Sequence, residues 1–108
     1  MAESNPKAGE ALKTFFREAP EQAQAWLAAI RNMEGASALD PKTHQLVCVG
    51  ICAALQMKDG AFFHAQAAKA AGASKAEVIS AILAALPAAG QGVVEVLPNA
   101  IGVFSETV

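Results

Sequence analysis

Apolar residues along this chain recur every three or four positions, in blocks separated by small groups of Gly, Pro, Asp and Ser, and that rhythm predicts helices throughout. The first eight residues carry no such pattern and read as a loose arm. Over residues 8–18, Leu12, Phe15 and Phe16 fall at helical spacing while Lys13, Arg17 and Glu18 take the other side, which predicts a short amphipathic helix. Pro20 then opens a second helix with Glu21 in its first turn; Ala23, Trp26, Leu27 and Ile30 form its apolar stripe, Gly35 ends it, and residues 35–38 are the linker.

Asp40 followed by Pro41 marks the next start, because aspartate accepts from an exposed backbone N–H and proline at the first helical position gives up a hydrogen bond that is not needed. Beyond Gln45 the run LVCVGICAAL is apolar on every side, so this helix should be enclosed by others, in its own subunit or a neighbour's. Gly50 in its middle costs about 1 kcal/mol relative to alanine, which implies a close backbone approach there. Lys58, Asp59 and Gly60 are expected to break the pattern, and a fourth helix to cover residues 60–71 before Gly72 supplies a left-handed cap. Ser74 and Glu77 make a capping box that opens a fifth helix, with Val78, Ile79, Ile82, Leu83 and Leu86 facing inward. Pro87, Gly90 and Gly92 should bend or break that helix, and residues 93–104 form a last helix interrupted near Pro98. No segment alternates with period two for long enough to be a strand. The expected fold class is all-α, about six helices in a single domain over residues 1–108.

Composition changes this picture in one respect. Hydrophobic residues make up 54% of the chain, yet there is no Tyr and only one Trp, and alanine supplies much of the excess. Alanine lets helices approach closely but fills little volume, so a lone subunit should leave apolar faces uncovered and a homo-oligomer is expected. The net charge of −2 and the scattered Lys and Arg residues offer no basic footprint for nucleic acid. The polar amino terminus lacks the apolar core of a secretory signal. The longest uncharged run, residues 78–94, is broken by Ser80, Pro87, Gly90, Gln91 and Gly92 and falls short of the roughly 20 apolar residues of a membrane span. Two cysteines four apart are not a secreted disulfide framework. The expected partners are therefore further copies of the chain and a small molecule, in the cytoplasm, without nucleic acid or membrane.

Both cysteines and both histidines lie within residues 39–73. Cys48 and Cys52 are one helical turn apart, with His44 one turn earlier on the same face. That spacing puts neighbouring Cβ atoms about 5 to 6 Å apart, against about 3.8 Å for a disulfide, so the two cannot bridge within an intact helix. Packed among Leu46, Val47, Val49 and Ile51, they read as buried small hydrophobes whose thiols are held protonated by desolvation. A metal site from His44, Cys48, Cys52 and His64 would need all four to converge without the close CxxC pairing of structural zinc, so no metal and no cofactor is expected. His44, in a first turn beside Lys42 and Gln45, reads as solvated or capping. His64 stands beside Phe62 and Phe63 with Ala65, Ala67 and Ala68 leaving room around it, so it could line a small cavity or be a satisfied core histidine. Gln45 and Gln56 can orient a ligand or a histidine but cannot act as bases.

LDPKT at residues 39–43, the Ala-rich apolar helix, and His64 followed by A-x-x-A-x-x-A-G-A-S-x-x-E-V through Val78 together resemble the carboxymuconolactone decarboxylase family, which includes the alkyl hydroperoxidase D-like proteins. The resemblance runs over about residues 20–104 and implies an all-α fold that assembles into trimers or hexamers. The redox branch of that family carries E-x11-C-x2-C-x3-H, in which a dithiol at a helix start attacks peroxide or disulfide while Glu and His relay protons. Counted back from His64, those positions hold Gln45, Met57 and Gly60, so only the histidine is retained. Neither Met nor Gly supplies a thiolate, and the peroxidase mechanism cannot run in its usual form. The decarboxylase branch also lacks the dithiol and keeps the histidine, but where it tends to show a Tyr-Cys-Gly segment this chain has Leu86, Pro87, Ala88, Ala89 and Gly90. Lys58 and Lys69 are the only cations near His64 in sequence, which is little positive charge for a dicarboxylate. The expectation is a small-molecule pocket near His64 and Gln45 with the dithiol activity lost. The alternatives are decarboxylase-like acid/base chemistry at His64 and residual thiol peroxidase activity through Cys48 or Cys52.

Overall fold

The computed structural model describes residues 9–105, so the expected loose arm over residues 1–8 lies outside the described residues. The chain divides into two compact units, Met1–Ala38 and Leu39–Val108. Every regular element among the described residues is helical. None is long and apolar enough to cross a membrane.

In the first unit, α1 (Glu10–Glu18) and α2 (Pro20–Ala36) meet at Ala19, whose N–H donates to the Phe15 carbonyl. Pro20 cannot extend α1 but suits the first turn of α2. The pair is held by aromatic packing: Phe15 lies 5.7 Å from Trp26 and 5.8 Å from Phe16, centroid to centroid. Gly35 sits inside the last turn of α2, which runs on to Ala36, with Ser37 extended behind it. Of the expected stripe, Ala23 is buried, Leu27 and Ile30 are half-buried and Trp26 is exposed.

The second unit consists of α3 (Pro41–Ala54), α4 (Lys58–Ala70), α5 (Lys75–Ala84), α6 (Leu86–Ala89), a 3-10 turn (Gln91–Val96), α7 (Leu97–Ile101) and a second 3-10 turn (Gly102–Phe104). Two helix ends share one geometry. At α4, Gly72 (φ 104) donates to Lys69 O and Ala73 to Ala68 O; at α3, Gln56 (φ 56) donates to Ala53 O and Met57 to Cys52 O. Both are Schellman caps. The second places a glutamine where glycine is usual, so the reversal falls at residues 55–57. Lys58, Asp59 and Gly60, expected to break the pattern, instead form the first turn of α4.

Glu77 and Ser74 close the capping box as expected, Glu77 N to Ser74 Oγ at 3.0 Å and Ser74 N to Glu77 Oε1 at 2.9 Å. Val78 and Ile82 are fully buried, but Leu83 and Leu86 are 39% and 38% exposed, because the buried strip on α5 is a single row of residues four apart. The helical run breaks just before Pro87 and Pro98 as expected: α5 ends at Ala84 and the first 3-10 turn at Val96. Each proline stands in the first turn of its own short helix, where no intrahelical N–H is required.

The core is assembled from Val49, Cys52 and Ala53 of α3, Ala61, Ala65 and Ala68 of α4, and Val78 and Ile82 of α5, closed by Val93, Val96, Ala100 and Val103. Gly50 lies where α3 meets α5: a Cβ there would stand 3.1 Å from the Ala81 carbonyl oxygen. That is the close backbone approach its presence in a helix implied. Lys42 Nζ reaches Glu77 Oε2 at 3.0 Å and ties the start of α3 to the start of α5. Lys69 Nζ donates to Val103 O at 2.8 Å and lies over the Phe104 ring, fastening the carboxy-terminal turn to α4.

Candidate functional site

The residues singled out in the sequence sort into separate places on the α3–α4 pair. Gln45, in the second turn of α3, faces His64 in the middle of α4, and its Oε1 lies 2.8 Å from Nδ1 of the imidazole. An amide oxygen only accepts, so Nδ1 carries the hydrogen. Nε2 is then the ring nitrogen turned away from Gln45. Phe63 packs edge-on against the ring at 5.0 Å, and both Gln45 and His64 are half-buried. A polar pair with one orientation, set among apolar side chains, can fix how a small molecule lies.

Cys52 is buried in the core. Its Sγ lies over Gly60, where a Cβ would come within 2.8 Å of it, so the absence of a side chain at residue 60 is what admits the sulfur. Burial pushes the Cys52 thiol up from its ordinary value, and the neighbouring Cys48 adds to the shift. This is the inert thiol expected from the apolar run.

Cys48 differs. It was expected to be a buried hydrophobe and His44 to be solvated or capping, but both are half-buried, and Cys48 Sγ lies 3.8 Å from His44 Nε2. The four-residue spacing carried that signal in the sequence. What it could not carry is how far the neighbouring helices cover that side of α3. Among the described residues no three His, Cys, Asp or Glu side chains group as metal ligands.

An open apolar groove of about 700 Å³ runs between α3 and α5, over Val47, Gly50, Ile51 and Ala54 on one side and Ser80 and Ala84 on the other. Gln45 and His64 do not line it. The sequence signal for it was the small residues Ala76, Ser80 and Ala84 at four-residue intervals, which leave a channel along α5. At its end, Glu77 is held below the ordinary carboxylate value, first by the Ser74 backbone N–H and then by Lys42. Asp40, the N-cap of α3, is likewise lowered, chiefly by the Thr43 side chain.

The architecture is thus that of a small all-α domain with a histidine–glutamine pair between its two central helices. Residues 20–100 match the model of the carboxymuconolactone decarboxylase family, and the chain belongs to that family. Comparison with curated proteins and with solved structures finds no match.

Proposed function

We propose that this chain is a homo-oligomeric, small-molecule-binding member of the family, in which the Gln45–His64 pair is the polar end of the binding site and dithiol peroxidase chemistry is lost. The observation that carries the reading is the 2.8 Å hydrogen bond from His64 Nδ1 to Gln45 Oε1. It holds the imidazole in one orientation with Nδ1 as the donor, and with only Lys58 and Lys69 as cations near it in sequence the pair suits a neutral or weakly polar molecule better than a dicarboxylate. The motif register supports the loss of dithiol chemistry, since Met57 and Gly60 stand at the two thiol positions. Self-association is supported by the large apolar side chains left exposed on the second unit, among them Val47 (46%), Met57 (50%) and Phe63 (57%).

A second reading is favoured by the same tautomer. With Nδ1 occupied, Nε2 is a general base, and His64 would move a proton on the bound molecule as the decarboxylase-like relatives do. Gln45 stabilises the ring's orientation in this scheme but takes no proton, so the reaction is confined to steps that one imidazole can serve.

A thermal-shift screen of neutral small molecules, run on native chain and on His64→Gln, tests the proposal. Binding should raise the native melting temperature through linkage, by an amount equivalent to about 2.7 kcal/mol at a hundredfold excess over Kd. His64→Gln should lose that shift while keeping its own melting temperature nearly unchanged. If both variants respond equally, His64 is not in the binding site. Peroxide turnover that disappears in a Cys48→Ser, Cys52→Ser variant would overturn the loss of thiol chemistry. Turnover of a ligand that requires His64 would select the second reading.

A further inference from the structure

The binding-site reading leaves Cys48 and His44 unused. We infer that Cys48, with His44 as its base, is a thiol–disulfide exchange site that takes up a low-molecular-weight disulfide and keeps half of it as a mixed disulfide. Three observations carry this. Cys48 is a half-buried residue where Cys52 is enclosed, and Nε2 of His44 stands 3.8 Å from its Sγ on the preceding turn. The same face of α3 continues into Ile51 and Leu55, both more than half exposed, which offer an apolar platform beside the sulfur for the organic part of the disulfide. Finally, Cys52, the only other cysteine, is buried and lies on the same intact helix, one turn away.

The exchange balances without any further reagent. The Cys48 S–H proton passes to His44 Nε2, and the thiolate attacks one sulfur of R–S–S–R. A Cys48–S–S–R bond forms, the original S–S bond breaks, and R–S⁻ leaves and recovers the proton as R–SH. Cys48 is oxidised and the departing half of the reagent is reduced. In a dithiol enzyme a second thiolate would then displace the adduct. Here that step is closed by geometry, because Cβ atoms about 5 to 6 Å apart on one helix cannot reach the roughly 3.8 Å of a disulfide without unwinding α3. The adduct therefore persists until an external thiol removes it, and Cys48 undergoes modification rather than turnover.

The test uses the native chain and 2,2′-dithiodipyridine, a neutral aromatic disulfide, with thione release followed by absorbance and the product by intact mass. The expected result is one thione released per chain in a fast phase, with one pyridylthio adduct retained on Cys48. Cys52→Ser should leave the fast phase unchanged and Cys48→Ser should remove it. His44→Gln, with His44→Asn as a second variant should glutamine disturb the helix, should slow the fast phase at least about tenfold, while both His44 variants react like the native chain when denatured in urea. A fast phase that survives Cys48→Ser, or that is as fast without His44, overturns the assignment. So does release of two thiones with no adduct retained, since that is the signature of a Cys48–Cys52 disulfide.

Discussion

Glycine 60 and cysteine 52 are a matched pair. The α4 position that lacks a side chain is the one over which the buried sulfur of α3 lies, and either residue alone would be read differently. In an exposed helix, Gly→Ala gains up to about 1 kcal/mol. At residue 60 the added methyl would stand 2.8 Å from Cys52 Sγ, closer than packed atoms tolerate. Gly60→Ala is therefore expected to destabilise the chain by about 1 to 2 kcal/mol. In a Cys52→Ala background the same substitution should be neutral or stabilising. Urea denaturation of the four members of this cycle gives the coupling directly, and additive effects would show that the sulfur moves aside without cost. The sequence held both residues in plain view, but their adjacency depends on how α3 and α4 are joined. Gln56 determines that join by taking a left-handed conformation that its side chain does not announce.

The helices differ in how openly they declare themselves. The start of α5 was legible because Ser74 and Glu77 satisfy each other's backbone donors locally, and Lys42 then adds an ion pair from α3. That arrangement makes stability depend on pH through Glu77. Its carboxyl is held below the ordinary glutamate value in the folded chain, so its contribution is complete above that ordinary value and is lost as the pH falls through the lower folded value. Glu77→Gln keeps a partner for the Ser74 N–H but removes the charge. The stability difference between native chain and Glu77→Gln should stay constant above about pH 5 and shrink on acidification. A difference that stays flat down to pH 3 in equilibrium unfolding would mean that the ion pair and charged cap contribute nothing. The ends of α3 and of the carboxy-terminal segment were less legible. The αL residue at position 56 is not glycine, and each proline near the carboxy terminus not only ends the helical run before it but also starts a short helix of its own.

Taken whole, the second unit is built on small side chains. Its largest fully buried residues are Ile82 and four valines, while Phe63 and Met57 are at least half exposed. A core of that kind contributes about 1.5 to 3 kcal/mol per large aliphatic side chain, and much apolar surface is left for another copy to cover. If self-association stabilises the fold as proposed, the melting temperature should rise with protein concentration. Light scattering should give a mass several times 11.1 kDa. A monomer with a concentration-independent transition would show that the exposed apolar side chains serve something other than assembly.

What the amino-acid order determined alone was whatever is decided within one or two helical turns: the all-α class, the Ser74–Glu77 start, the close approach at Gly50, and the inability of Cys48 and Cys52 to bridge. The family motifs were also legible there, because their spacing is itself a property of the chain. The pairing of Gln45 with His64, the seating of one sulfur over Gly60 and the half-exposure of the other beside His44 were decided only by the tertiary structure. Each depends on the rotation of one helix about its axis against another, and a run that is apolar on every side does not say which side its neighbour takes.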